Sequence, residues 1–274
     1  MTAPAGFLLV NPRSGDDSPS ADELRAEAER LGVVVRELGE DDDLVALARG
    51  ADTPVLGMAG GDGSLGAVAG VAIERGLPFV CVPFGTRNHF ARDAGLDRDD
   101  PLAALDAFVH GEERRVDVGR VGDRVFLNNV SLGLYARLVH RRERHRRRRA
   151  ALARVRALAL TLRDHGRTQQ FTVDGRPVRA QVLLVANNPY TFDLLSLGER
   201  ETLDEGRLHL YVPHGLRRVR WDERSCTELE IDAPQHRLEA AVDGEPTVFE
   251  TPLRFRIEPR ALRLLVPRTA AHDG

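Results

Sequence analysis

The chain has 274 residues, 42% hydrophobic and 30% charged, with a formal net charge of −3. That is enough apolar content for two modest cores, and it excludes a disordered or fibrous chain. All 39 basic residues are arginine, and the absence of lysine removes the P-loop lysine, the strand lysine of protein kinases and every Schiff-base chemistry.

Residues 1 to 111 alternate strand and helix. Gly6–Val10 is an apolar run ended by Asn11-Pro12, and Ser20–Leu31 places Ala21, Leu24, Ala28 and Leu31 at helical spacing behind a Ser20/Glu23 capping box. Val33–Arg36 then Asp42–Arg49, and Val55–Met58 then Ser64–Arg75, repeat the unit, and Pro78–Val82 is a fourth strand. The pattern predicts a Rossmann-like α/β domain with a mainly parallel sheet. From 112 to 274 the texture becomes short β-rich runs separated by Gly, Asp and Pro: Arg115–Val118, Arg124–Val130, Gln169–Val173, Gln181–Ala186, Arg207–Val212, Glu228–Ile231, Leu238–Val242, Leu253–Ile257 and Leu262–Val266. This predicts an all-β second domain, interrupted by an arginine-rich helical insertion at about 136–165.

Cys81 and Cys226 are far apart, and neither a zinc spacing nor a charged-then-apolar leader is present, so a cytoplasmic protein is expected. The stretch Ala150–Leu162, broken by Arg154 and Arg156, is too short to cross hydrocarbon.

The segment Val55–Gly66 runs an apolar strand into Gly60-Gly61-Asp62-Gly63-Ser64 and then a helix. That geometry points backbone N–H groups and a helix N-terminus at an anion, with no lysine needed. A plain glycine-rich turn with Ser64 as N-cap is the alternative, but three glycines in these five residues exceed what a cap requires, which favours a phosphate site. Gly61, Gly63 and Gly66 also spell the dinucleotide fingerprint. They follow the third strand rather than the first and lack an acidic residue about twenty positions on, which argues against a dehydrogenase. After the fourth strand, Pro83–Asp93 carries Gly85, Thr86, Arg87 and Asn88 beside a new helix start; after the first comes Asn11-Pro12-Arg13-Ser14-Gly15. Each is an ordinary turn taken alone, but in a parallel sheet all three gather at one edge around a single ligand.

Together these loops resemble the catalytic domain shared by diacylglycerol kinases, sphingosine kinases and bacterial lipid kinases, with NAD kinases as more distant relatives. The resemblance rests on Asn11–Gly15, Gly60–Ser64, Pro83–Arg92, Asn128-Asn129-Val130-Ser131-Leu132-Gly133 and Asp243-Gly244-Glu245, in the family's order over nearly the whole chain. It departs from the family at Ser64 in place of threonine, Ala67 in place of glutamate and His89 in place of aspartate. What it implies is an α/β domain followed by a β-sandwich, an active site in the interdomain cleft, and transfer of the γ-phosphoryl group of ATP to a hydroxyl of diacylglycerol or a related lipid.

In that scheme Asn11, Pro12, Arg13, Ser14, Gly15, Gly60, Gly61, Asp62, Gly63, Ser64, Gly85, Thr86 and Asn88 would line the nucleotide site, and Asp62 would help place Mg²⁺ through water. Asp243 would be the general base with Glu245 as its neighbour or substitute. Spacing alone does not select Asp243, because Val173-Asp174-Gly175 and Val242-Asp243-Gly244 read equally well as hairpin turns. Family members also hold a structural Mg²⁺ in a turn that corresponds to Asp204 and Glu205. Two other readings stay open: a catalytically silent nucleotide- or lipid-binding protein on the same fold, and an NAD-kinase-like transferase on a soluble hydroxyl.

From Arg137 to Arg167 twelve arginines face only Glu143 and Asp164, a local charge of +10 that leaves −13 on the rest. The run Arg141–Arg149 is a solvated helix face or a patch for anionic lipid at the inner face of the membrane. No nucleic-acid partner is expected, since the rest of the chain is acidic and has one tryptophan and three tyrosines to stack on bases. The lipid substrate, presented at a membrane surface, is the expected partner, with room left for a homodimer.

Overall fold

A computed structural model describes residues 5–15, 19–85, 88–133, 168–191, 199–214 and 220–268. The insertion at 136–165, the run Arg141–Arg149, Thr86 and Arg87 lie outside the described residues.

The first part alternates as the sequence implies: β1 (Gly6–Val10), α1 (Ala21–Arg30), β2 (Val33–Glu37), α2 (Leu44–Gly50), β3 (Leu56–Gly60), α3 (Asp62–Glu74), β4 (Phe79–Pro83), α4 (His89–Asp93), and a 3-10 turn leading into α5 (Ala107–His110). The Ser20 capping box forms: the Glu23 N–H donates to Ser20 Oγ at 3.2 Å and the Ser20 N–H to Glu23 Oε2 at 2.7 Å. α2 starts later than Asp42 because Asp43 is its cap, accepting from the Val45 and Ala46 N–H groups. α3 starts earlier than Ser64. Gly61 is its N-cap, and the Ser64 hydroxyl donates back to the Gly61 carbonyl at 2.9 Å instead of accepting an N–H.

Twelve further strands follow: β5 (Glu112–Val121), β6 (Arg124–Phe126), β7 (Asn129–Gly133), β8 (Gln169–Val173), β9 (Arg176–Ala180), β10 (Val182–Asn187), β11 (Leu208–His214), β12 (Arg220–Cys226), β13 (Glu228–Asp232), β14 (Arg237–Val242), β15 (Glu245–Glu250) and β16 (Leu253–Val266). The pattern of apolar runs does not reveal β9, β12 or β15. Each pairs with a single neighbour at the end of its sheet and carries charged residues, as edge strands do. The runs at 253–257 and 262–266 join into one strand that kinks at Arg260, which sits at φ 52°.

The chain divides into two compact units, one of residues 1–118, 190–205 and 258–274, the other of 119–189 and 206–257. The two consecutive blocks expected, 1–111 and 112–274, are thus interleaved. The reason lies in β16, whose final residues pair with β4 in the first unit, Leu264 beside Phe79, while Leu253–Arg256 pair with β13 in the second.

In the first unit β2, β1, β3 and β4 lie side by side, all parallel, with the end of β16 beyond β4. Leu8, Val10, Ala59, Val80 and Val82 bury one face of this sheet with Leu24 and Ala28 of α1 and Phe108 of α5. Because β1, β3 and β4 are neighbours pointing the same way, the loops after them open on one edge.

The second unit is a sandwich. One layer is the antiparallel sheet β12-β11-β10-β7-β14-β15; the other contains the start of β16 with β13, β8 and β9. Alternate residues point inward, Val130, Leu132, Leu183 and Val185 from one layer against Phe171, Ile231 and Phe255 from the other. Phe126 meets Phe255 edge-on, with ring centroids 6.4 Å apart at 76°. Burying each such ring contributes about 1.5–3 kcal/mol.

Candidate functional site

In the first unit all three predicted loops come together. The Asn11 N–H donates to the Ala59 carbonyl at 2.9 Å, extending the β1–β3 pairing. Asn11 Oδ1 then accepts from the Arg13 N–H at 3.2 Å and its carbonyl from the Ser14 N–H at 3.0 Å, turning the chain over Pro12. Arg13 is exposed and reaches the Gly39 carbonyl. Gly15 lies on the Phe84 ring; a Cβ there would stand 2.3 Å from Phe84 Cζ, so the first loop is pressed against the third.

The glycine turn touches that third loop as well. A Cβ on Gly85 would come within 2.8 Å of the Gly61 Cα, so two backbones meet where only glycine fits. Asn88 is wholly buried, with φ 44° and ψ 52°, and its Nδ2 donates to the Gly85 carbonyl at 2.9 Å while its Oδ1 has no partner. Asp62 and Ser64 are buried at 7% and 8% exposure. The Asp62 carboxylate accepts from the N–H groups of His89 and Phe90, both at 3.1 Å, spanning from α3 to α4. Burial pushes the thiol of Cys81 on β4 well above its ordinary range, and the negative charge of Asp62 adds to that.

Next to this edge is a buried ion cluster that sequence reasoning missed. Asp93 accepts from Arg92, whose Nη2 is 2.8 Å away, and from Arg200 Nε at 2.7 Å, with the Arg200 guanidinium 5.7 Å from the Tyr190 ring centroid. The side chains of Asp93 and Arg200 are 1% and 0% exposed, so each needs the other. Asp93 closes the motif read as the third loop, but nothing around Arg200 in the sequence marks it.

In the second unit both Asp-Gly pairs form hairpin turns with positive φ at both residues: Asp174-Gly175 joins β8 to β9, and Asp243-Gly244 joins β14 to β15. Their carboxylates differ. Asp174 accepts from the Glu230 N–H at 2.8 Å and from Arg224. Asp243 gathers three consecutive amides: Oδ1 accepts from Asn128 at 2.8 Å and Asn129 at 3.0 Å, Oδ2 from Leu127 at 2.8 Å. The same 127–129 segment is gripped from its other side by Asn187, whose Nδ2 donates to the Leu127 carbonyl and whose N–H donates to the Asn128 carbonyl. Asn187 and Asn188, both fully buried, escaped the sequence reading; their signal is an Asn-Asn pair closing an apolar run, as at Asn128-Asn129. Glu245 is half exposed, 3.4 Å from Arg124. Ser131 points to the sheet face opposite Val130 and Leu132, between Leu184 and Ala241, and its Oγ is buried without a partner.

The acidic residues expected to place a metal, Asp62 and Asp204 among them, bond protein groups. Asp204 bonds Thr202, and its Oδ2 lies 3.3 Å from Arg260 Nη2. That guanidinium brings a positive charge to the turn where a structural cation was expected. Asp62 gives an oxygen to each of two amides. Among the described residues no group of three or more His, Cys, Asp or Glu is placed to hold a metal ion. Also among them, no helix is long and apolar enough to cross a membrane.

Residues 5–121 match the family model of the diacylglycerol kinase catalytic domain. A protein named "Probable lipid kinase YegS-like" from Klebsiella pneumoniae is 27% identical over 97% of both chains. A diacylglycerol kinase of Mycobacterium tuberculosis strain H37Rv is 28% identical over 95% of this chain and 94% of its own. In fold, the chain is similar to the crystal structure of a diacylglycerol kinase from Bacillus anthracis, with TM-score 0.67, 15% identity and 96% coverage of both chains.

Proposed function

We propose that this chain, whose residues 5–121 match the diacylglycerol kinase catalytic domain, transfers the γ-phosphoryl group of ATP to a hydroxyl of diacylglycerol or a related lipid. The observation that carries this reading is the joined edge of the first unit. There, Gly85 packs on Gly61, and Asp62 ties α3 to α4. A phosphate site made of backbone N–H groups at the start of α3 suits a chain without lysine, because oriented amides and a helix N-terminus supply the positive end that lysine supplies elsewhere. Gly60, Gly61, Gly63 and Ser64 are assigned to the nucleotide phosphates, with Asn11–Gly15, Gly85, Thr86 and Asn88 around them.

Phosphoryl transfer depends mostly on positioning and on neutralising phosphate charge. Mg²⁺ bound with the nucleotide would supply part of that neutralisation. Asp243 and Glu245 are assigned to the acceptor proton. The Asp243 carboxylate, which accepts from the Leu127, Asn128 and Asn129 N–H groups, is the group proposed to receive it, with Glu245 beside the turn as its substitute. An acceptor lipid resides in a membrane, so the enzyme would work from the cytoplasmic surface, with Arg141–Arg149 proposed as the contact to anionic lipid.

The test is transfer of labelled γ-phosphate from ATP with Mg²⁺ onto mixed micelles of diacylglycerol or sphingoid base, with NAD as a soluble control. Label in a lipid supports the reading and names the acceptor. Label in NAD alone would replace it with a soluble-substrate kinase, and no label anywhere would replace it with a silent binding protein.

A further inference from the structure

An N-cap residue ordinarily sits in the extended region and uses its own side chain to accept from the second or third N–H of its helix. Asn88 caps α4 from the left-handed region, makes no side-chain cap bond, and sends its Nδ2 back to the Gly85 carbonyl instead. The first N–H groups of α4 therefore need an acceptor from elsewhere. Asp62 provides it from 27 and 28 residues earlier, Oδ2 to His89 and Oδ1 to Phe90. The same residue opens α3, so one carboxylate belongs to the first turn of one helix and caps the next.

We propose that Asp62 is a positioning residue. Its carboxylate holds the start of α4 against the start of α3, so that the backbone N–H groups of the glycine turn are set for the nucleotide phosphates before the nucleotide arrives. The inference rests on the phosphate-binding reading of Gly60–Ser64, and it replaces the role of Mg²⁺ placement expected for Asp62. Two contacts make the lock. On one side Gly85 abuts the Gly61 Cα so closely that no Cβ fits; on the other, the carboxylate spans two amides. With the glycine turn fixed in advance, binding does not spend affinity on ordering it. Asparagine is not an equivalent, because its NH₂ would face one of the two N–H donors.

The test uses full-length protein with Asp62→Asn and Asp62→Ala. Three quantities are read: amide exchange at His89 and Phe90 without ligand, the KM for ATP against kcat, and the Mg²⁺ midpoint at saturating ATP. The proposal expects exchange at both amides at least about tenfold faster, KM raised about tenfold or more, and a Mg²⁺ midpoint moved less than about twofold. Gly85→Ala pushes the same loops apart with the carboxylate intact; it is the second variant if either Asp62 change prevents folding, and the same KM increase is expected. A shifted Mg²⁺ midpoint with unchanged KM would overturn the proposal in favour of a metal role. Unchanged exchange at His89 and Phe90 would also overturn it. Faster exchange with unchanged KM would remove the positioning role while leaving the proposed reaction standing, whereas native protein unable to bind ATP would overturn both.

Discussion

Replacing Asp243 by asparagine separates the carboxylate from everything else at that turn. Asparagine tolerates the left-handed backbone that Asp243 adopts at φ 49°, so the hairpin geometry itself is kept. The Asn Oδ1 can still accept from Asn128 and Asn129, but the new NH₂ then points at the Leu127 N–H, donor against donor. One bond to a charged group is lost and a part-buried N–H is turned against another donor, which together cost about 3 kcal/mol. At about 2–4 °C per kcal/mol for domains of this size, the melting midpoint should fall by about 6–12 °C. Glu245→Gln is the control. With the Glu245 side chain 52% exposed and its Arg124 contact at 3.4 Å, the ion pair contributes at most about 1 kcal/mol and the midpoint should move by no more than about 2–4 °C. Differential scanning calorimetry of the two variants beside native protein reads both values. An Asp243→Asn midpoint within about 2 °C of native would refute the structural role of the three amides. It follows that a kinase defect in this variant reports on base chemistry only when it exceeds the fraction unfolded at the assay temperature.

Three further outcomes are expected. Ser131→Ala removes a buried hydroxyl without a partner and should leave stability unchanged or raise it by about 1 kcal/mol; a loss above about 1 kcal/mol in urea titration would contradict that. Arg260→Gly should relieve the left-handed backbone at φ 52° while losing an exposed ion pair to Asp204, for a net gain of up to about 1 kcal/mol, and a lower melting midpoint would contradict it. The hydrogen bond from Arg263, with smaller help from Arg115, holds the Glu113 carboxyl below its ordinary range against partial desolvation. A depressed carboxylate adds stability that is complete above the unfolded-state value and is lost as pH falls through the folded one. The gap between native and Arg263→Met, below about 1 kcal/mol because both side chains are about one third exposed, should therefore close in acid. A gap that widens toward pH 2 would refute the pairing.

The alternating half of the fold was legible because its signals are local. Apolar runs such as Gly6–Val10 end in breakers, Ser20 and Glu23 form the box that their spacing announces, and parallel order follows from alternation. Both Asp-Gly turns were legible for the same reason. What escaped is set by contacts between distant segments. β9, β12 and β15 carry few apolar residues because each lies at a sheet edge, and the interleaving of the units depends on where β16 pairs. The three loops were found in the sequence, but not how they join, since Asp62 reaches His89 and Gly85 reaches Gly61 only through space. A Ser64 cap is only the alternative reading of the glycine turn in the sequence; in the fold the Ser64 proton goes to the Gly61 carbonyl. Arg200 and Asn187 belong to networks assembled by tertiary structure, and single positions announce neither.

The central claim is most directly tested by mass spectrometry of lipid extracted after native protein is incubated with ATP, Mg²⁺ and diacylglycerol in mixed micelles, with Asp62→Ala run in parallel below saturating ATP. The account predicts a phosphomonoester of the supplied lipid that forms only with ATP, and forms more slowly in the variant. A native reaction that consumes ATP yet leaves the lipid unphosphorylated would contradict it.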